Sequence, residues 1–365
     1  MRILMVLLLA SSILAADEVQ PLAVGAKAPD FKLRGVDGKT YTLKNFKADV
    51  LVIVFTANHC PTAQAYEQKL IQLAKKYPQV DFVAVSSNAP QALALEEMGY
   101  TDLGDSFEDM KKRAQELKLP FPYLYDGDEQ KAARAYGPQA TPHVFIFDKE
   151  RRLRYQGRID DTENPYIPAQ SKDAENAVEA LLAGRPVPVE QTKVFGCSIK
   201  WREKAAWVAK LNQEWAAQPV DVAPIDEVGI RELVKNPTQN LVLLNVWATW
   251  CGPCVVEFPE LVAIHRSYRN RKVELVTLSA DKPQLTDKVR EFLKQKQAAV
   301  RNYHAQVDAY RLIEAVDPQW SGALPYTMLI APGGEILFRH MGLIDPLQVR
   351  KAIIERIGRY YADDK

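Results

Sequence analysis

The sequence predicts two tandem α/β sandwich domains, each a mixed sheet covered by helices, and two observations carry that prediction. The chain has 365 residues, too many for one ordinary core and enough for about two. It also contains the same plan twice. Residues 49–60 (DVLVIVFTANHC) align without a gap on residues 240–251 (NLVLLNVWATWC), and residues 141–148 (TPHVFIFD) align on residues 324–331 (LPYTMLIA).

Each element follows from local pattern. The runs before Cys60 and Cys251 are continuously apolar and of strand length, which suits strands buried on both faces. Each cysteine then opens a segment of helical period, residues 64–76 and 255–268. A second buried strand follows (80–86 and 272–279), then a helix. An X-Pro step enters the next strand at Thr141-Pro142 and at Leu324-Pro325, and a turn (149–152 and 332–335) leads into a last strand ending GRID (157–160) or GLID (342–345). An amphipathic helix closes each unit, at 173–182 with Gly184 as its stop and at 346–357. Strand–helix–strand–helix followed by a hairpin gives a mixed sheet. The copies differ at their start: the first has a hairpin around Asp37-Gly38, whereas the second opens on a helix at 225–234. The expected organisation is a first domain at 22–200, a connection at 201–221 containing a helix at 203–216, and a second domain at 222–362.

Lys+Arg 47 against Asp+Glu 46 leaves a formal charge of +1, so no basic face is expected and nucleic acid is not a predicted partner. Residues 1–16 combine Arg2, an apolar run and Ala15-Ala16, the pattern of a secretory signal peptide; an uncleaved anchor is the other reading. Both place the folded part outside the cytoplasm, periplasmic or secreted. No later segment is apolar enough to span a bilayer.

Four cysteines are too few for a disulfide scaffold, and two of them form Cys251-Gly252-Pro253-Cys254. Cys251 lies where a strand gives way to a helix, a position that favours the thiolate. Cys254, one turn on, is placed to resolve a mixed disulfide. Pro253 in the first turn lacks an N–H that would have no intrahelical partner anyway. A structural disulfide and half of a zinc site are the bland alternatives. The five histidines, His59, His143, His265, His304 and His340, form no pair at ligand spacing, so no metal and no cofactor are expected.

In the first copy Cys60 takes the position of Cys251, and Ala63 takes that of Cys254. A nucleophile at a helix start beside His59 is chemically reasonable, and a buried relic thiol is the alternative. Cys197 is the other cysteine of this half. Removing the Cys251/Cys254 pair leaves Cys60 and Cys197, which are hypothesised to form a reversible disulfide that the second domain reduces through its tether.

At WATWCGPCVVEFP (247–259) the chain resembles the thioredoxin fold, specifically the exported TlpA/ResA-type reductases. The first copy, with NHCP (58–61) and GCSIKW (196–201), resembles the peroxiredoxin-like redoxins of the AhpC/TSA superfamily. The resemblance implies two tandem thioredoxin-like α/β sandwich domains. It implies dithiol–disulfide exchange with protein disulfides or dithiols, fed by an upstream thiol donor, in extracytoplasmic redox homeostasis. It also implies roles for residues of the second copy. Pro325 is a cis-proline against the pair, Leu324 presents backbone to a substrate strand, Trp250 shields Cys251, and Glu257 is a buried carboxylate that tunes the thiols rather than a surface acid. In the resembled peroxiredoxins the peroxide-reactive cysteine falls at Ala63 and a threonine at Cys60, so this chain departs from that pattern. Thiol peroxidase activity at Cys60, recycled by the second domain, and a first domain that only binds a client are the competing readings.

Overall fold

Alternation along one strand organises each unit. The computed structural model describes residues 19–162, 164 and 167–360, and the expected signal segment 1–16 lies outside the described residues. The first unit begins with β1 (Lys32–Gly35) and β2 (Thr40–Thr42), the expected hairpin. Its central strand is β3 (Leu51–Phe55). Val52 and Val54 turn to one face, against Tyr66, Leu70 and Leu73 of α1 (Pro61–Lys76). Leu51, Ile53 and Phe55 turn to the other, against Tyr136 and Ala133. A period-2 chain with both faces covered needs apolar residues at every position, which is why the run is unbroken.

β4 (Asp81–Ser86), α2 (Phe107–Leu117), β5 (Tyr123–Tyr125), α3 (Lys131–Tyr136), β6 (His143–Phe147), β7 (Leu153–Gly157) and α4 (Asp173–Leu182) complete the unit. The seven strands lie in the order β2-β1-β5-β4-β3-β6-β7, parallel at β3/β4/β5 and antiparallel elsewhere. α5 (Ala205–Ala216) follows in the connecting segment. Its Trp215 packs with Val220 into a cluster of the second unit, and its indole donates to Gln297 O.

The second unit runs β8 (Ala223–Ile225), α6 (Glu227–Lys235), β9 (Leu241–Trp247), α7 (Gly252–Tyr268), β10 (Val273–Ser279), α8 (Thr286–Gln295), β11 (Arg301–Ala305), α9 (Ala309–Val316), β12 (Tyr326–Ile330), β13 (Ile336–Met341) and α10 (Pro346–Ile357). Its sheet order is β13-β12-β9-β10-β11-β8. The reading of residues 225–234 as a helix needs correction at its start. Ile225 ends β8, which pairs in parallel with β11, and the helix begins at Glu227, capped by the Asp226 side chain on Gly229 N. A three-residue edge strand containing Pro224 carries too little periodicity to be seen in sequence.

α7 continues without a break through Pro259. Proline there cannot donate to the carbonyl four residues earlier, and Lys296 Nζ takes that role, donating to Val255 O at 2.9 Å. Among the described residues, no helix is long and apolar enough to cross a membrane.

The two units meet along the C-terminal half of α7 and along α10. The turn at Leu95–Glu97 lies against α7, where Glu96 pairs with Arg266 at 3.0 Å. Arg266 also donates to Asn212 and lies over the Trp215 ring. Tyr268 OH donates to Thr101 O, and Arg359 pairs with Asp102. Arg266 is 6% exposed, and deleting it leaves the partly buried Glu96 with only the looser Arg269 pair at 3.6 Å and leaves Asn212 without its donor. Arg266→Ala should lower the unfolding free energy by on the order of 1–2 kcal/mol in urea titrations; an unchanged midpoint would show the contact to be incidental.

Candidate functional site

Both copies place a cysteine at the N-cap of a helix that leaves the central strand. Cys251 caps α7 and its Sγ accepts from Cys254 N at 3.3 Å. Cys60 caps α1 and its Sγ accepts from Ala63 N at 3.4 Å. At both sites an N-terminal amide without an intrahelical partner points at sulfur, which stabilises negative charge there.

In the second unit Cys251 and Cys254 are disulfide-bonded with Cα atoms 5.3 Å apart. Cys251 keeps 5% of its surface in solvent and Cys254 none. Leu324 packs against the cluster that holds both sulfurs, and Pro325, which follows a cis bond, is buried. Gly252 has open space at its Cβ position, and Pro253 sits in the first turn. Trp250, next to Cys251 in the chain, is 68% exposed, so most of its ring stands in solvent at the rim. The loop before Cys251 is pinned from behind, because buried Asp281 accepts from Thr249 N (2.8 Å) and Thr249 Oγ1 (2.7 Å).

Glu257 is 2% exposed, which removes the surface-acid reading. One oxygen accepts from Asn245 Nδ2 at 2.9 Å and the other from Ile344 N at 3.0 Å. Burial pushes the carboxyl up from its usual range, and the Ile344 and Asn245 donors oppose that only in part.

In the first unit Cys60 is wholly buried, among Ala57, Ala63 and the partly exposed Cys197; both cysteines are thiols. The thiol donates to Thr141 O at 3.1 Å. His59 is 1% exposed, and its Nδ1 lies 2.5 Å from Asp105 Oδ2. Asp105 also accepts from Asn58 N at 2.7 Å, His59 N at 3.2 Å and Asn88 Nδ2 at 2.7 Å. Burial opposes the Asp105 charge, but His59 and Asn88 outweigh it and hold the carboxyl below its usual range. Burial likewise opposes a Cys60 thiolate. The Cys197 contact, the charge of a protonated His59, the Thr141 side chain and the Ala63 amide outweigh it and bring Cys60 down to about 6.

The structure thus gathers Cys251, Cys254, Trp250, Glu257, Leu324 and Pro325 around one helix start. It gathers Cys60, Cys197, His59 and Thr141-Pro142 around the other. The two sulfur pairs lie in separate clusters. α7 touches the first unit through Arg266 and Tyr268, roughly 20 Å of helix away from Cys251. Asp105, Asn88, Asn245 and Asp281 were not singled out from sequence. Asp281 stands two residues past β10 and Asp105 in an irregular stretch, so neither carries a spacing signal. Among the described residues no group of three His, Cys, Asp or Glu side chains is placed to hold a metal.

The family model for the AhpC/TSA family matches residues 24–156 and 223–339. The chain is 34% identical over 95 residues to thiol-disulfide oxidoreductase ResA of Oceanobacillus iheyensis, covering 26% of this chain and 46% of the relative. It is 30% identical over 96 residues to ResA of Bacillus subtilis, covering 26% and 50%. The chain thus spans about half the length of the curated relatives it matches. Among solved structures it is similar to an uncharacterized conserved protein from Geobacillus kaustophilus, with 42% identity over 49% of this chain and 93% of that one, at a TM-score of 0.43. It is also similar to a hypothetical protein from Sinorhizobium meliloti, with 32% identity over 50% and 96%, at a TM-score of 0.45.

Two titrations check the electrostatics. With Cys251 and Cys254 replaced by alanine, thiolate absorbance should rise through pH about 6, because Cys60 is neutral below that value and anionic above it. Asp105→Asn should move the rise toward the ~8.5 of an ordinary thiol; a single rise near ~8.5 in the parent would contradict the geometry. Glu257→Gln removes a buried acidic group one helical turn from Cys254, and the reduced pair should then alkylate at lower pH than in the parent. The pH dependence of its alkylation reads that shift.

Proposed function

The chain belongs to the AhpC/TSA family, and on that premise we propose that it is a thiol–disulfide oxidoreductase whose working pair is Cys251 and Cys254. The observation that carries this reading is the graded exposure of two sulfurs at one helix start, Cys251 at 5% and Cys254 at 0%. In the reduced state Cys251 is the sulfur an incoming disulfide meets. Its thiolate attacks, one substrate thiolate leaves, and Cys254 then attacks Cys251 Sγ to release the second. Two electrons pass to the substrate, and the pair ends in the bonded form, to be reset by an upstream thiol donor. Leu324, packed beside the sulfurs, offers backbone to an extended substrate, and exposed Trp250 offers an apolar rim.

Protein disulfides are the proposed substrates; the Gly-Pro dipeptide supports the reducing direction, and the relatives named thiol-disulfide oxidoreductase support the reaction class. Action outside the cytoplasm is supported by the signal-like composition of residues 1–16. Cys251→Ser should reduce turnover of a protein disulfide such as insulin by at least ~1000-fold, because removal of a nucleophile leaves only residual rate. Cys254→Ser should accumulate a mixed disulfide on Cys251. Full activity in the double variant would place the chemistry elsewhere.

A further inference from the structure

The first unit pairs an extended segment of its own chain at a position where, among the described residues, the second unit pairs none. Residue by residue, the repeat matches Thr141 with Leu324 and Cys60 with Cys251. Thr141 forms an antiparallel bridge with Cys197: Thr141 N donates to Cys197 O at 2.8 Å, and Thr141 Oγ1 to the same oxygen at 3.3 Å. Among the described residues no bridge pairs with Leu324. Gly196 has φ +130°, and a Cβ there would lie 2.0 Å from Thr141 O, so the segment approaches this closely only with glycine before the cysteine.

The segment is anchored just beyond Cys197. Lys200 N donates to Asn88 Oδ1, Lys200 O accepts from Ala89 N and Gln130 Nε2, and Lys200 Nζ pairs with Glu97 at 2.9 Å. Asn88 also donates to Asp105, so one side chain joins the strap to the group that orients His59. His59 Nε2 is buried without a hydrogen-bond partner among the described residues, beside a sulfur that solvent does not reach. Gly196 and Ser198 are exposed and Cys197 partly so.

We propose that residues 195–199 act as a tethered substrate strand of the first unit, in which Cys197 is the sulfur that meets an external disulfide and Cys60 is the buried sulfur that closes a Cys60–Cys197 bond behind it. This assignment stands apart from Cys251 and Cys254. The substrate class is a disulfide, RS–SR′. The Cys197 thiolate attacks it, forming Cys197–SR′ and releasing RS⁻. The Cys60 thiolate then attacks Cys197 Sγ and expels R′S⁻. Two cysteine thiols lose two electrons and two protons, and the disulfide becomes RSH and R′SH. In reverse, a dithiol attacks the more exposed Cys197 sulfur and Cys60 departs. A sulfur that ionises easily is the faster leaving group, and its stabilised thiolate makes the pair the more oxidising. The groups facing Cys60 are His59 from its own loop, Asp105 behind that ring, and Cys197 from the strap. His59 and Asp105 are positioning residues for Cys60.

The test uses the full chain with Cys251→Ser and Cys254→Ser, treated with oxidised glutathione, quenched by acid and mapped by mass spectrometry. A Cys60–Cys197 bond should accumulate, preceded by a transient glutathione adduct on Cys197. Adding Cys60→Ala should leave that adduct standing. Adding Cys197→Ser should slow modification of Cys60 at least tenfold relative to Cys197 in the parent. Asp105→Asn should slow closure near neutral pH and shift its pH profile alkaline, with adduct formation on Cys197 unchanged. An adduct that forms first on Cys60, or two separate adducts with no internal bond in the parent chain, would overturn the assignment. These parent-chain readings do not depend on any further variant folding.

Discussion

A backbone amide aimed at a sulfur is the constraint from which both sites follow. The amide exists because a helix has to leave its first N–H groups without intrahelical acceptors, and the sulfur receives it because cysteine stands at the cap. For that arrangement to persist, the strand before the cysteine must be immobile. Its apolar side chains alternate between two covered faces, so a shift of one residue would turn each side chain toward the wrong layer. In both units a buried aspartate then fixes the loop between strand and cap. Asp105 receives the Asn58 amide in one, and Asp281 receives the Thr249 amide in the other.

From this shared scaffold the copies diverge in what surrounds the sulfur. The second unit buries a carboxylic acid, Glu257, one turn below Cys254 and meets its oxygens with an amide side chain and a backbone N–H. At the matching position of the first unit stands Tyr66, whose hydroxyl donates to Asp160. The first unit instead brings a histidine and an aspartate to the cap itself and covers the sulfur with a strap of its own chain. One copy holds both its sulfurs on one helix start; the other keeps its second sulfur on a neighbouring segment.

The join between the units also bears on chemistry. Arg266 and Tyr268 carry docking contacts at the far end of the helix that Cys251 begins, and Lys351 of α10 and Arg359 carry others. Glu96 docks on α7 while the adjacent Glu97 pairs with Lys200, which anchors the strap, and with Lys204 before α5. The same short turn thus touches the interface and the residues that follow Cys197.

Sequence alone determined the duplicated α/β plan, because buried strands, helix starts and X-Pro steps are local patterns that recur in register. It also determined that Cys251 and Cys254 share one helical turn and that Ala63 breaks the equivalent pair. It did not reach β8, whose three residues are too few to show a period, nor the exposure of Trp250, which depends on what neighbouring loops leave uncovered. Tertiary structure alone decided that Glu257 is buried, that Asp105 lies against His59 across 46 residues of chain, and that Cys197 rests on Cys60 by pairing with Thr141. These are long-range contacts made through backbone groups and single polar side chains. Backbone amides and carbonyls are the same at every residue, so the side-chain pattern of the sequence carries no mark of where they will meet.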